Sequence, residues 1–362
     1  MSATSTLTGT GMAGSWPMAR VMAGASAVPV GHAIDLAFFL SEEGVAPHDA
    51  LVAETRRHLG GCAQAIEMAL RLSLAHPPEI AAALDHASGA IAWPMIRARP
   101  TLLSPALLGH MKMRAALTLM LRQHGQADVE QATEAAGSRL PATDDPVLGD
   151  AAAALAIAEG RWLMPGGEDQ PMRPDLPAEH VAELVWTVAA CLALRLEPAF
   201  PHARDRLYAA IERAGWALLA DHDESASPIV LAQQLVRRMG EAADDAALLG
   251  MALDRRRFLL FAALAARHLR LECAQLIDML LLGPVAEVGL LCRALGGSDA
   301  DYRYMLLALR PARPSLSDAA VLAEAERYGT LGEAEADAVL GTLRTPEPFR
   351  AKIGHLRALA GA

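Results

Sequence analysis

The chain has 362 residues, 53% of them apolar but only 4% aromatic, and a formal net charge of −10. Its apolar mass is mostly Ala and Leu, which are strong helix formers, and it offers little of the Val, Ile, Thr and aromatic content that a sheet draws on. The acidic balance argues against nucleic acid as a partner, because that affinity comes from neutralising phosphates, and no stretch is long, apolar and uncharged enough to read as a membrane span.

Residues 1–30 are small and polar, broken by Pro17 and Pro29, and read as a disordered tail. Gly9-Thr10-Gly11-Met12-Ala13-Gly14 matches GxGxxG, with Asp35 at roughly the distance of a ribose-binding acid. That motif works only between a strand and a helix, where the pyrophosphate meets the helix N-terminus. Trp16-Pro17 follows it instead, and no βαβ pattern appears, so no nucleotide cofactor is expected. A basic segment before an apolar core is also missing, which places the protein in the cytoplasm as an expectation.

A first helical domain is expected over 31–163. It holds a short apolar segment Ile34–Leu40, a polar helix His48–Gly60 and a helix Cys62–Ala75 with Ile66, Leu70 and Leu74 on one face. After Pro77-Pro78 come a short helix Ile80–Asp85, a segment Ser88–Arg99 interrupted at Trp93-Pro94, and a longer helix from Ser104-Pro105 to about Gln123. The acidic helices Asp128–Leu140 and Pro146–Trp162 follow. Residues 126–200 hold 13 acidic and 4 basic side chains, so the negative charge is concentrated there.

The runs Ile66–Ala75, Pro77–Asp85 and Ile91–Pro100, with Leu103-Ser104, carry a resemblance. They are similar to a bacterial domain-of-unknown-function family of all-helical, HEAT-like proteins, and Phe258–Leu309 resembles the later hairpins of that family. The chain departs from the pattern at Ser104-Pro105, where an Asp is expected at the end of the turn. The resemblance implies stacked antiparallel helical hairpins in an α-solenoid-like array and brings no catalytic residues with it.

Residues 164–177, with four prolines and two glycines, read as a linker. A helical-repeat domain is expected beyond it, over 178–310, with helices at Glu179–Leu196, Pro201–Ala220, Pro228–Met239 and Ala242–Leu253. The clearest signals lie in 254–309. Asp254 reads as the N-cap of a helix Phe258–Leu269. Cys273, Leu276, Ile277, Leu280 and Leu281 form a stripe at helical spacing, and Gly283-Pro284 separates it from a third helix carrying Val285, Val288, Cys292 and Leu295. Gly296-Gly297 closes that helix, and Ser298 or Asp299 caps a fourth that ends before Pro311. Links this short predict antiparallel hairpins. After the break at 310–314, three helices (Asp318–Tyr328, Glu333–Leu343, Pro348–Leu359) are expected to form a terminal cap over 315–362.

The chemistry-bearing residues are few. Cys62, Cys191, Cys273 and Cys292 lie far apart among apolar residues and read as buried thiols, not metal ligands. Asp221-His222-Asp223-Glu224 reads as a solvated loop, since four consecutive side chains point different ways. His180 and Glu183, Asp85-His86 and His268 read as caps or partly buried groups, and GxSxG, HExxH and Walker motifs are absent. No catalytic, cofactor-binding or metal residue is therefore assigned. Arg255-Arg256-Arg257 stands out, because three cations in the first turn of a helix oppose its dipole. These arginines are the candidate partner-binding residues of what is expected to be a non-catalytic adaptor for an unknown protein partner. The alternative is a ligand-sensing domain with a small apolar molecule near Trp186 or Phe258 and Phe261.

Overall fold

The computed structural model describes residues 49–131 and 145–345, apart from positions 77, 88 and 165, with a few further positions between 349 and 357. The GxGxxG motif, the segment Ile34–Leu40 and most of the expected helix Pro348–Leu359 lie outside the described residues. Within them the chain is all-helical: α1 Asp49–Leu74, α2 Pro78–His86, α3 Ala92–Ala98, α4 Pro105–Gln131, α5 Pro146–Leu163, α6 Ala178–Leu196, α7 Arg204–Ala220, α8 Pro228–Met239, α9 Ala246–Asp254, α10 Phe258–Leu269, α11 Cys273–Leu281, α12 Val285–Ala294, α13 Asp299–Leu309, α14 Asp318–Tyr328 and α15 Glu333–Leu343. No strand occurs among the described residues.

These helices fall into two compact units whose chain segments interleave. Of the described residues, the first unit takes 56–110 and 166–224, and the second takes those up to 55, 111–165 and 225 onward. This division differs from the sequential one expected around 164–177.

In the first unit, two glycines explain two departures from expectation. Gly60-Gly61 was read as the break between two helices, yet α1 runs through them. A Cβ on Gly61 would stand 2.8 Å from the carbonyl oxygen of Gln170, and one on Gly60 would collide with that of Glu168. The glycines are there for close backbone approach. What approaches is the expected linker, which lies along α1: Met172 N–H donates to the Gly61 carbonyl at 2.9 Å, and Asp175 and Leu176 are buried.

Carboxylates from elsewhere in this unit close its helix starts. Glu67 of α1 is buried and accepts from Ile91 N–H at 3.0 Å and Ala92 N–H at 2.8 Å, where α3 begins. Glu183 of α6 accepts from Ser104 Oγ at 2.6 Å and from Ser104 N–H, at the start of α4. Glu224 accepts from Ala178 N–H at 3.0 Å, at the start of α6, whose own N-cap Pro177 supplies no side-chain bond. Each satisfies amides that lack a partner within their own helix. Arg71, paired with Glu67 at 2.8 Å, donates to the carbonyls of Ala87 and Gly89 just beyond α2. One i,i+4 pair on α1 thus fixes both ends of the loop from α2 to α3.

The second unit has one continuous apolar core. Leu117 and Met120 of α4, Leu155 and Trp162 of α5, Leu235 of α8, Phe258 and Phe261 of α10, Leu276 of α11, Leu306 of α13, Tyr328 of α14 and Leu340 of α15 all belong to it. Each fully buried side chain of this size contributes about 1.5–3 kcal/mol relative to exposure. From α9 to α14 every helix packs on its successor, while α8 packs on α5 and α10, and α15 on α12. The expected boundaries Phe258–Leu269, Asp318–Tyr328 and Glu333–Leu343 are those observed. Ser298 and Asp301 form a capping box at the start of α13. The helix expected to stop near Gln123 instead continues to Gln131, since Gly125 alone does not end a helix.

Candidate functional site

The structure moves the arginines to the opposite end of a helix. Asp254 is the last residue of α9, not the cap of α10, and α10 has Arg257 as its N-cap with no side-chain bond. Arg256 N–H donates to Leu253 O at 2.9 Å and Arg257 N–H to Ala252 O at 2.8 Å, with Arg256 left-handed at φ 55°. This is a Schellman closure with arginine in the position usually taken by glycine. Arg255 and Arg256 at the C-terminus of α9 agree with its dipole, so the conflict expected from a first-turn placement is confined to Arg257, the N-cap of α10. Arg257 turns inward to Glu159 of α5, 3.6 Å away. Burial raises the Glu159 pKa, against the pull of Arg257. Arg255 is exposed and Arg256 half-buried at the turn.

An exposed aromatic surface lies elsewhere, in the first unit, between α6 and α7. Trp186 of α6 and Trp216 of α7 meet edge to face with ring centroids 5.0 Å apart. Their approach depends on Gly215, where a Cβ would stand 2.7 Å from the Trp186 ring. Trp216 is 47% exposed, Leu194 51% and Tyr208 42%. Trp186, Leu194 and Tyr208 line a groove of about 370 Å³ with Ala189, Ala190, Ala193 and Ile211. At its end Tyr208 Oη donates to Glu197, which also pairs with Arg204 at 2.6 Å. The buried stripe of α7 is Leu207, Ala210, Ile211, Ala214 and Leu219. Tyr208 and Trp216 lie off that stripe, on positions where a helix of this polarity ordinarily carries charged side chains. Sequence reasoning named Trp186 but passed over Tyr208, Trp216 and Leu194. The available signal was these apolar residues out of phase with the stripe.

A second cleft, about 320 Å³, lies in the second unit beside the arginine turn and is lined by Leu249, Leu253, Phe261 and Met305, with Asp254, Asp301, Tyr304 and Cys292 among its polar groups. Phe261 faces it, whereas Phe258 is sealed in the core. Burial pushes the Cys292 thiol up to about 11 and that of Cys273 to about 12, so both are protonated at neutral pH and unsuited to nucleophilic attack. All four cysteines are buried and free of disulfides.

Two other polar constellations hold helix starts in the first unit. His222 Nε2 lies 2.9 Å from the Leu176 carbonyl and Glu224 caps α6, so two members of the 221–224 cluster hold the chain before α6, which departs from the solvated loop expected there. Glu183 caps α4 instead of pairing with His180 as a ligand set. Among the described residues no group of three or more His, Cys, Asp or Glu side chains is placed to hold a metal, and no helix is long and apolar enough to cross a membrane. No family model, curated protein or solved structure matches the chain.

Proposed function

We propose that this protein is a non-catalytic helical adaptor and that the α6–α7 face receives a protein partner. The observation that carries this reading is the exposed set Leu194, Tyr208 and Trp216, with the half-buried Trp186 beside them, gathered on two helices of a chain with only five tryptophans. Tryptophan and tyrosine dominate the binding energy of protein interfaces, because they bury much area while losing few rotamers. The succession of packed helices from α9 to α14 supports a HEAT-like stack as the frame, and Arg255 and Arg256 extend the reading to a second contact point in the other unit.

The test is capture of partners by the tagged chain, followed by mass spectrometry, with Trp216→Ala and Leu194→Ala compared with the natural sequence. Both side chains are half exposed, so the fold is expected to survive, as checked by circular dichroism. Loss of a reproducible partner in both variants supports the proposal. Identical partner lists in variant and parent sink it. A smaller loss is expected when Arg255 and Arg256 are changed to Glu.

A second reading is favoured by the cleft beside Phe261, whose apolar walls and volume suit a small molecule. A native-state ligand raises the melting temperature by mass action. A metabolite panel that produces no shift, or a shift unchanged in Phe261→Ala, counts against it.

A further inference from the structure

The largest of the described clefts, about 630 Å³, is in the first unit and shares no lining residue with the α6–α7 groove. One wall is a face of α2: Glu79, Ala82, Ala83 and His86 recur at helical spacing, beside the buried Ile80 and Leu84 that fasten this helix to the unit. The opposite wall is the end of α6 with the turn that follows, contributing Arg195, Pro198, Phe200, Pro201 and His202. The space exists because the α2 wall is alanine where it faces the cleft. Two prolines stiffen the other wall by fixing φ, so little ordering cost attaches to filling it. A volume of this size lies within the range of small-molecule sites.

The polar groups give the ligand its sign. Arg195 forms no hydrogen bond or ion pair with any described residue, unlike Arg71, Arg97, Arg122, Arg204 and Arg257. Its fork of donors fits a carboxylate. The His86 ring is held by donation from Nδ1 to the Ala82 carbonyl at 2.6 Å, and His202 lies on the other wall. Glu79 is the one carboxylate lining the cleft, and it stands on the α2 wall, opposite the wall that carries Arg195.

We infer that this cleft binds a small carboxylate with an aliphatic body, its head group on Arg195 and its chain between the alanine face of α2 and the proline-lined turn. Isothermal titration of the full chain with octanoate, acetate and octylamine tests this. Octanoate is expected to bind saturably, acetate at least ten-fold more weakly, and octylamine not at all. Arg195→Gln is expected to weaken octanoate at least ten-fold, Arg195→Lys much less, and Glu79→Gln to leave it equal or tighter. Arg195 is exposed, so these variants do not threaten the fold. The inference is overturned by an absence of saturable octanoate binding, by octylamine binding as tightly, or by octanoate affinity unchanged in Arg195→Gln. None of these outcomes bears on partner capture by the α6–α7 face.

Discussion

Arg256 shows most directly how one residue decides the meaning of its neighbours. Its left-handed backbone reverses the chain after α9 and places Asp254 at a helix end, and Arg270 does the same after α10 at φ 56°. A side chain in this conformation costs about 1–2 kcal/mol, while glycine there costs roughly 0.5–1 kcal/mol of extra unfolded-chain entropy. Arg256→Gly is therefore expected to raise stability by up to about 1 kcal/mol, read as a higher urea midpoint; a lower midpoint would show that the guanidinium contributes more than the strain removes. The buried thiols make a prediction in pH. Cys273 and Cys292 are raised from 9.0 to about 12 and about 11 by burial, and burial raises Tyr302 and Tyr328 in the same sense. A group whose folded-state pKa is raised contributes stability that is whole below its unfolded value and is lost as pH climbs toward the folded one. Urea unfolding should give falling stability from pH 9 to 11, with a shallower fall in Cys273→Ala. A flat profile would contradict the burial of these thiols.

At the level of helices, polar caps supplied from a distance recur in both units. Glu67, Glu183 and Glu224 close N-termini, while arginines close C-termini. Arg313 donates to the Met279 and Leu280 carbonyls at 2.8 and 2.6 Å at the end of α11, and Arg344 donates to the Leu269 carbonyl at 2.9 Å at the end of α10. The signs agree with the helix dipole. Burial lowers the Arg313 pKa, yet the two carbonyls give its fork a matched pair of acceptors. Glu183→Ala is expected to cost about 0.5–2 kcal/mol, the usual range for losing an N-cap, measured by thermal or urea unfolding. If Glu183→Ala unfolds like the parent, Ser104 has another acceptor and the long-range cap is not what holds the start of α4. These caps were invisible in the sequence because their partners lie 24–79 positions apart. The local capping box at Ser298 was partly legible, because Ser298 was in view as a cap and its partner Asp301 sits three residues on.

At the largest scale, 318–343 shares the apolar core of the second unit through Val321, Tyr328 and Leu340. Tyr328 of α14 stacks on Tyr302 with centroids 4.3 Å apart, lies under Arg293 at 4.0 Å and donates to the Gly297 carbonyl at 2.6 Å. Tyr328→Ala should cost about 3–5 kcal/mol and lower the unfolding midpoint of the second unit as one transition. A loss confined to α14 and α15, seen by hydrogen exchange, would instead make them a separable cap. Helix content, the stripes of α11 and α13, and the starts at Pro146 and Pro228 follow from composition, periodicity and caps carried within a few residues, so the sequence by itself determined them. Tertiary structure alone decided which glycines break a helix and which admit a neighbouring backbone, that the proline-rich 164–177 packs along α1, that the arginine triplet ends one helix instead of starting another, and which apolar side chains are left exposed on α6 and α7. Apart from the arginine turn, which a local left-handed residue closes, each of those outcomes depends on contacts between residues far apart in the chain, and a helical period records only which face is apolar, not what comes to cover it.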